Sequence, residues 1–325
     1  MIEREDIKMS FKNSKVAIIG VGNVGATTAY TLINQGLCEE IVLIDVNKEK
    51  AIGEALDMQH SIYFMNRNIN VHAGDYQECQ DADVVIITAS VPMDPHANDR
   101  LSMLDGSKKV MKSIITNVMA SGFNGIIVVI SNPVDVMTYY AYKLSGLPKN
   151  QVIGTGTTLD TARLAVEISN LYDLDCKSVS AFVMGEHGDS EIVSWHSATI
   201  GGKNLEDVMK DNKERTRDET FEKLRKKTTA AGWEIFHRKG ATTYGIASSV
   251  AAVVKSILFN ENRILPVSVL LEGEYGINDV YLSVPTIINQ IGAKEIVEIK
   301  LDAKEEEALK ASADVVSSYY DALKD

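Results

Sequence analysis

Short unbroken apolar runs alternate with longer amphipathic stretches over the first 130 residues of the chain. Runs at 16–19, 41–44, 83–89 and 126–130 are too short for helices and lack polar alternation, so they predict strands buried on both faces. The segments 26–35, 48–60 and 101–121 read as helices, and 70–73 as one more short strand. Strands alternating with helices predict a doubly wound parallel sheet. In such a sheet ligands bind beyond the carboxyl ends of the strands. Between the third long run and its helix lies SVPMDPHANDR, residues 90–100, where Pro92 and Pro95 and the lack of period predict a loop.

The pattern changes near residue 148. Helices are expected at 159–172, 213–238, 243–259 and 304–323, and strands at 178–184, 265–271, 280–283 and 296–299. The expected architecture is α/β: a dinucleotide-binding sheet of Rossmann type over 1–148, then a mixed α+β substrate domain over 149–325. No flexible linker or internal repeat marks the join.

The first strand leads into Gly20, Gly22 and Gly25, spaced G-x-G-x-x-G, and then into a helix. Gly20 permits the tight turn, Gly22 lets the backbone approach a pyrophosphate favoured by the helix N-terminus, and Gly25 lets helix and strand pack closely. The second strand ends in Asp45, whose carboxylate suits ribose hydroxyls and would repel a 2′-phosphate. The expected cofactor is NAD rather than NADP.

With 325 residues, 45% of them hydrophobic and 24% charged, the composition is that of an ordinary globular protein. The net charge of −12 disfavours nucleic acid and anionic membranes as partners. No apolar run approaches the ~20 residues of a membrane span. Residues 1–15 are charged and lack the apolar core of a signal peptide, whether they form an arm or Met9 is the natural start. Cys38, Cys79 and Cys176 are scattered, without CxxC, which suits a reducing cytoplasm and argues against a disulfide frame or a metal site.

Hydride transfer to or from a dinucleotide needs a proton partner and a substrate anchor. His187, at a strand end between glycines, could exchange a proton near neutral pH, or could be a plain surface-loop histidine. Asp160 and Arg163 share a helix face and could be a simple ion pair. Arg100 closes the 90–100 loop.

Together with VGNVG, VVISNPVDV, VIGTGTTLDTARL, GEHGDSE and KGATTYGIA, these residues make the chain resemble the NAD-dependent lactate/malate dehydrogenase family, within it the L-lactate and L-2-hydroxyacid dehydrogenase branch. The resemblance runs from Lys15 to the C-terminal helix. It implies that His187 is the acid/base, Asp160 its partner, Arg163 the anchor of the substrate carboxylate and Arg100 the loop arginine that polarises the carbonyl. It implies cofactor contacts at Gly20, Gly22, Asn23, Val24, Gly25, Asp45, Ala89, Ser90 and Asn132. Asn132, Thr242 and Met93 would border a 2-keto or 2-hydroxy acid. A homotetramer or dimer is implied, for which the apolar helix at 243–259 offers interface material.

The chain departs from the family pattern in three ways. Met93 stands where lactate enzymes have glutamine and malate enzymes arginine, in a loop one residue longer than usual. An uncharged side chain disfavours malate and oxaloacetate. It leaves open pyruvate and larger branched or aromatic keto acids, such as 2-ketoisocaproate or phenylpyruvate. Ser90 replaces a glycine. Ala165 and Ser180 stand where enzymes activated by fructose 1,6-bisphosphate carry an arginine and a histidine, so no such activation is expected. The rival reading is a non-catalytic dinucleotide-binding protein, which would need the glycine turn and Asp45 but not His187, Asp160, Arg163 and Arg100.

Overall fold

The computed structural model describes residues 14–91, 100–217 and 219–324, with the side chains of 100–103 left aside. The first half runs β1 (Lys15–Ile19), α1 (Asn23–Gln35), β2 (Glu40–Ile44), α2 (Lys48–Ser61), β3 (Asn70–Ala73), β4 (Val84–Ile87), α3 (Arg100–Ala120), β5 (Ile126–Val129), α4 (Val134–Ser145) and β6 (Val152–Gly154). Strands β1, β4 and β5 are buried at every position, as unbroken apolar runs require. The second half runs α5 (Thr158–Tyr172), β7 (Val179–Ser180), β8 (Val183–Met184), β9 (Ile192–Val193), β10 (Thr199–Ile200), β11 (Lys203–Asn204), α6 (Leu205–Asp211), α7 (Phe221–Lys239), α8 (Tyr244–Leu258), β12 (Arg263–Glu272), β13 (Asn278–Asn289), β14 (Gly292–Ile296) and α9 (Ala303–Ser317).

One nine-stranded sheet carries the fold, in the order β14-β13-β12-β6-β5-β4-β1-β2-β3. The six strands from β6 to β3 are parallel, and β1 lies between β2 and β4 where the winding reverses. The antiparallel strands β12 to β14 join through Ser268 opposite Gly154.

Several elements differ from the sequence pattern. Helix α4 and strand β6 were not expected: α4 follows β5 directly and buries most of its residues, and β6 is three residues long. The single strand expected at 178–184 is two strands in different sheets, β7 pairing with β10 and β8 with β9. The charged stretch at 213–238 turns first and becomes helical only at Phe221, capped by Thr220. Strand β13 runs on through Pro285, which faces Pro266, so that two residues without N–H meet at a pair that exchanges no hydrogen bonds. Helix α8 spends most of its apolar surface inside the chain.

Candidate functional site

The glycine turn behaves as its spacing requires. Gly20 has φ +94°, and a β-carbon there would stand 2.6 Å from the Ala89 backbone nitrogen. A β-carbon on Gly25 would strike the Gly20 carbonyl oxygen. At Gly22 a β-carbon would meet nothing within 4 Å, so the space above this residue is open. Helix α1 starts there with no side-chain cap and no acid in its first turn, leaving its first amides for an anion. Asn23 is exposed and Val24 half-buried. Asp45 Oδ2 accepts from Val21 N at 2.6 Å and Oδ1 from Asn47 N at 2.8 Å, which locks the carboxylate beside the turn while each oxygen keeps acceptor capacity. Ala89, half-buried, and Ser90, exposed, lie just past β4. Ser131 Oγ donates to Ala89 O at 2.6 Å and so fixes the end of β5, where Asn132 is exposed, next to the end of β4. An open glycine turn, free helix amides and a carboxylate at the second strand end fit NAD.

His187, Asp160 and Arg163 are brought together. Asp160, on the buried face of α5, is 1% exposed. Its Oδ1 accepts from Arg163 Nη1 at 2.6 Å and its Oδ2 pairs with His187 Nδ1 at 2.6 Å. Asp160 is the main reason the His187 imidazole is pushed up to about 9, opposed by burial. Burial alone would raise the Asp160 carboxyl, but His187 and Arg163 outweigh it and hold it below the usual range.

The loop bearing His187 is fastened on three sides. Gly185 N donates to Ser283 O at 2.9 Å and Ser283 N returns a bond at 3.1 Å. Glu186 N donates to Ser312 Oγ of α9 at 2.8 Å. His187 N donates to Asp135 Oδ2 of α4 at 2.8 Å. Asp135 is 2% exposed, and burial pushes its carboxyl up to about 6. Because α4 begins just after Asn132, this bond ties the His187 loop to the C-terminal end of β5.

Asp135 was not foreseen, nor was Glu191, buried beside the same cluster with its carboxyl pushed up to about 7, mainly by burial. In sequence each is one acid among 45. The only available hint was the apolar neighbourhood of Asp135 in NPVDVM. Thr242 is half-buried at the foot of α8, whose Gly245 packs on Leu159 beside Asp160. Met93 lies outside the described residues, and Arg100 opens α3 with its side chain outside them. No helix among the described residues is long and apolar enough to cross a membrane.

Residues 14–154 match the family model for the lactate/malate dehydrogenase NAD-binding domain, and residues 157–323 that for the α/β C-terminal domain of the same family. L-lactate dehydrogenase 3 of Bacillus cereus is 46% identical over 305 residues, covering 94% of this chain and 96% of that protein. A lactate dehydrogenase from a Medee basin deep-sea metagenome library superposes with a TM-score of 0.93 at 44% identity, over 96% of this chain and 99% of that one. The minor L-lactate dehydrogenase of Enterococcus mundtii, in its ligand-bound form, gives 0.91 at 43% identity, over 96% and 98%. With both halves matched in order, the chain belongs to the lactate/malate dehydrogenase family.

Proposed function

We propose that the chain is an L-lactate dehydrogenase that reversibly reduces pyruvate to L-lactate with NADH. The observation that carries this reading is the bonded cluster of His187, Asp160 and Arg163 in a chain with an NAD-binding domain of this family. In this reading residues 1–148 hold the cofactor and 149–325 the substrate and the catalytic groups. When bound, the nicotinamide supplies or takes the hydride. Arg163 grips the substrate carboxylate with its planar fork. His187, held through Nδ1 by Asp160, gives a proton from Nε2 to the keto oxygen as the carbon gains hydride; in the reverse direction it takes the hydroxyl proton. Asp160 stabilises the imidazolium. Arg100 polarises the carbonyl, Asn132 and Thr242 border the substrate, and Gly20, Gly22, Asn23, Val24, Gly25, Asp45, Ala89 and Ser90 contact the cofactor.

Met93 favours a second substrate class, larger branched or aromatic keto acids, because it offers an apolar and flexible side chain. NADH oxidation with pyruvate, 2-ketoisocaproate, phenylpyruvate and oxaloacetate separates the two. The highest kcat/KM for pyruvate supports the lactate reading; a clear preference for the bulky acids replaces it, and NADH binding without any turnover would leave only a dinucleotide-binding protein. A homo-oligomer, tetramer or dimer, is part of this reading: Ile52, Leu56, Tyr63 and Phe64 are exposed on and just after α2, a surface suited to a second copy. A reducing cytoplasm suits three free cysteines, of which Cys38 and Cys79 are buried with thiols pushed up to about 12.

A further inference from the structure

Glu191 is a buried acid that the reaction outlined above does not use. It is 3% exposed and immediately precedes β9. Its Oε1 accepts from Thr229 Oγ1 at 2.6 Å. One side-chain atom each of Asp160, His187 and Glu191 lie within 4.8 Å of one another. Thr229 belongs to α7, and three residues along the same helix face lies Gly232. A β-carbon on Gly232 would stand 3.4 Å from Arg163 Nη2. One face of α7 therefore meets both the acid beside the His187–Asp160 pair and the guanidinium bonded to Asp160.

A buried carboxylate is costly unless its charge is used or matched. Among the described residues, the charged groups that act most on Glu191 are Asp160 and Arg163 of α5 and His187 of its own loop, with Arg225 of α7 also feeling its charge. Among the described residues, those that act most on His187 are Asp160, Asp135 of α4 and Glu191, with Glu186 beside Asp135 and Arg163 on the other oxygen of Asp160. Every carboxylate acting on the imidazole favours its protonated form. Glu191 is the one of these that also bonds α7.

Resting on the reading of His187 as the acid/base, we infer that Glu191 is a positioning residue that ties α7 to the His187–Asp160 pair and sets a negative charge beside the imidazole. Titration of the His187 ring by NMR in the full chain without cofactor tests the charge. E191Q lowers the midpoint by about one pH unit, a tenfold change in proton affinity, and E191D restores at least half of it. The alkaline limb of kcat/KM for keto acid reduction moves with the midpoint. T229V alters no charge and cuts the tie: KM for the keto acid rises roughly fivefold, the worth of one ordinary hydrogen bond, with kcat within about twofold, and T229S restores it. An unchanged His187 midpoint in E191Q overturns the role of the charge, and a T229V enzyme identical to wild type overturns the tie. The titration needs no turnover, so a wild-type protein that reduces no keto acid would sink the functional reading and leave the test of the charge intact.

Discussion

Replacing Asp160 by Asn removes the charge that does most to keep His187 protonated. The imidazole stands near 9 against an ordinary 6.5. That difference corresponds to roughly 3 kcal/mol of preference for the charged ring. Without the Asp160 charge the midpoint returns to about 6.5 or below, since burial then acts with less opposition. On the proposed mechanism, keto acid reduction needs the protonated ring. At pH 7.5 a midpoint of about 6.5 leaves roughly one ring in ten protonated, so kcat/KM falls about tenfold from protonation alone. Loss of ring orientation and of the Asp160 bond to Arg163 adds to the deficit. The assay is pyruvate reduction from pH 5.5 to 9.5 in wild type and D160N. The alkaline limb moves down by about 2.5 pH units or more in the variant, and part of the activity returns near pH 5.5. A D160N profile that is uniformly lower, with its limb still near 9, would refute the reasoning, because the carboxylate would then orient the ring without setting its charge.

Asp135→Asn tests the buried acid beneath the His187 loop. A carboxyl whose folded pKa is raised to about 6 contributes stability that is present below its unfolded value near 3.8 and lost as pH rises through 6. D135N removes the charged form's penalty, so its Tm relative to wild type is about 2 °C higher at pH 8 than at pH 5; the same difference at both pH values contradicts this. Gly22→Val and Gly25→Ala separate binding from folding. The first fills open space, so NADH affinity falls at least about tenfold while Tm stays within about 2 °C, whereas the second lowers both, as read by fluorescence titration and calorimetry. Fructose 1,6-bisphosphate leaves the apparent KM for pyruvate within about twofold, because Ala165 and Ser180 offer a phosphate no charge; a large fall in KM counts against this.

The cofactor half was legible because its signals are local. Apolar runs, three spaced glycines and an acid at a strand end lie within 31 residues, and the structure returns them in that arrangement. Helix α4 was missed although its sequence carries a helical period: it starts directly after β5 through Asn132 and Pro133, with no longer connection to announce a new element. The candidate cluster was legible as residue types in motifs, but not as a bonded set: His187 and Asp160 are 27 residues apart, and His187 and Asp135 are 52 apart. A buried acid reads like an exposed one until its partners are located. The strand expected at 178–184 failed for a related reason. Its apolar residues serve two small sheets, and the division falls at Ala181 and Phe182, which a sequence pattern does not mark.

The pairing of β6 with β12 has a consequence for how the molecule can be taken apart. The two family domains meet within one sheet, so the boundary between them is a ladder of strands and no hinge. A fragment ending at residue 154 would carry β6 as a naked edge of apolar residues, open to pairing with other chains. A chimera that borrows its second half from a relative must preserve Ser268 against Gly154, where a β-carbon would stand 2.9 Å from Ser268 Cβ. Exchange of halves in this chain is therefore constrained at a glycine whose surroundings are the packed backbone and side chains of the sheet and of α4.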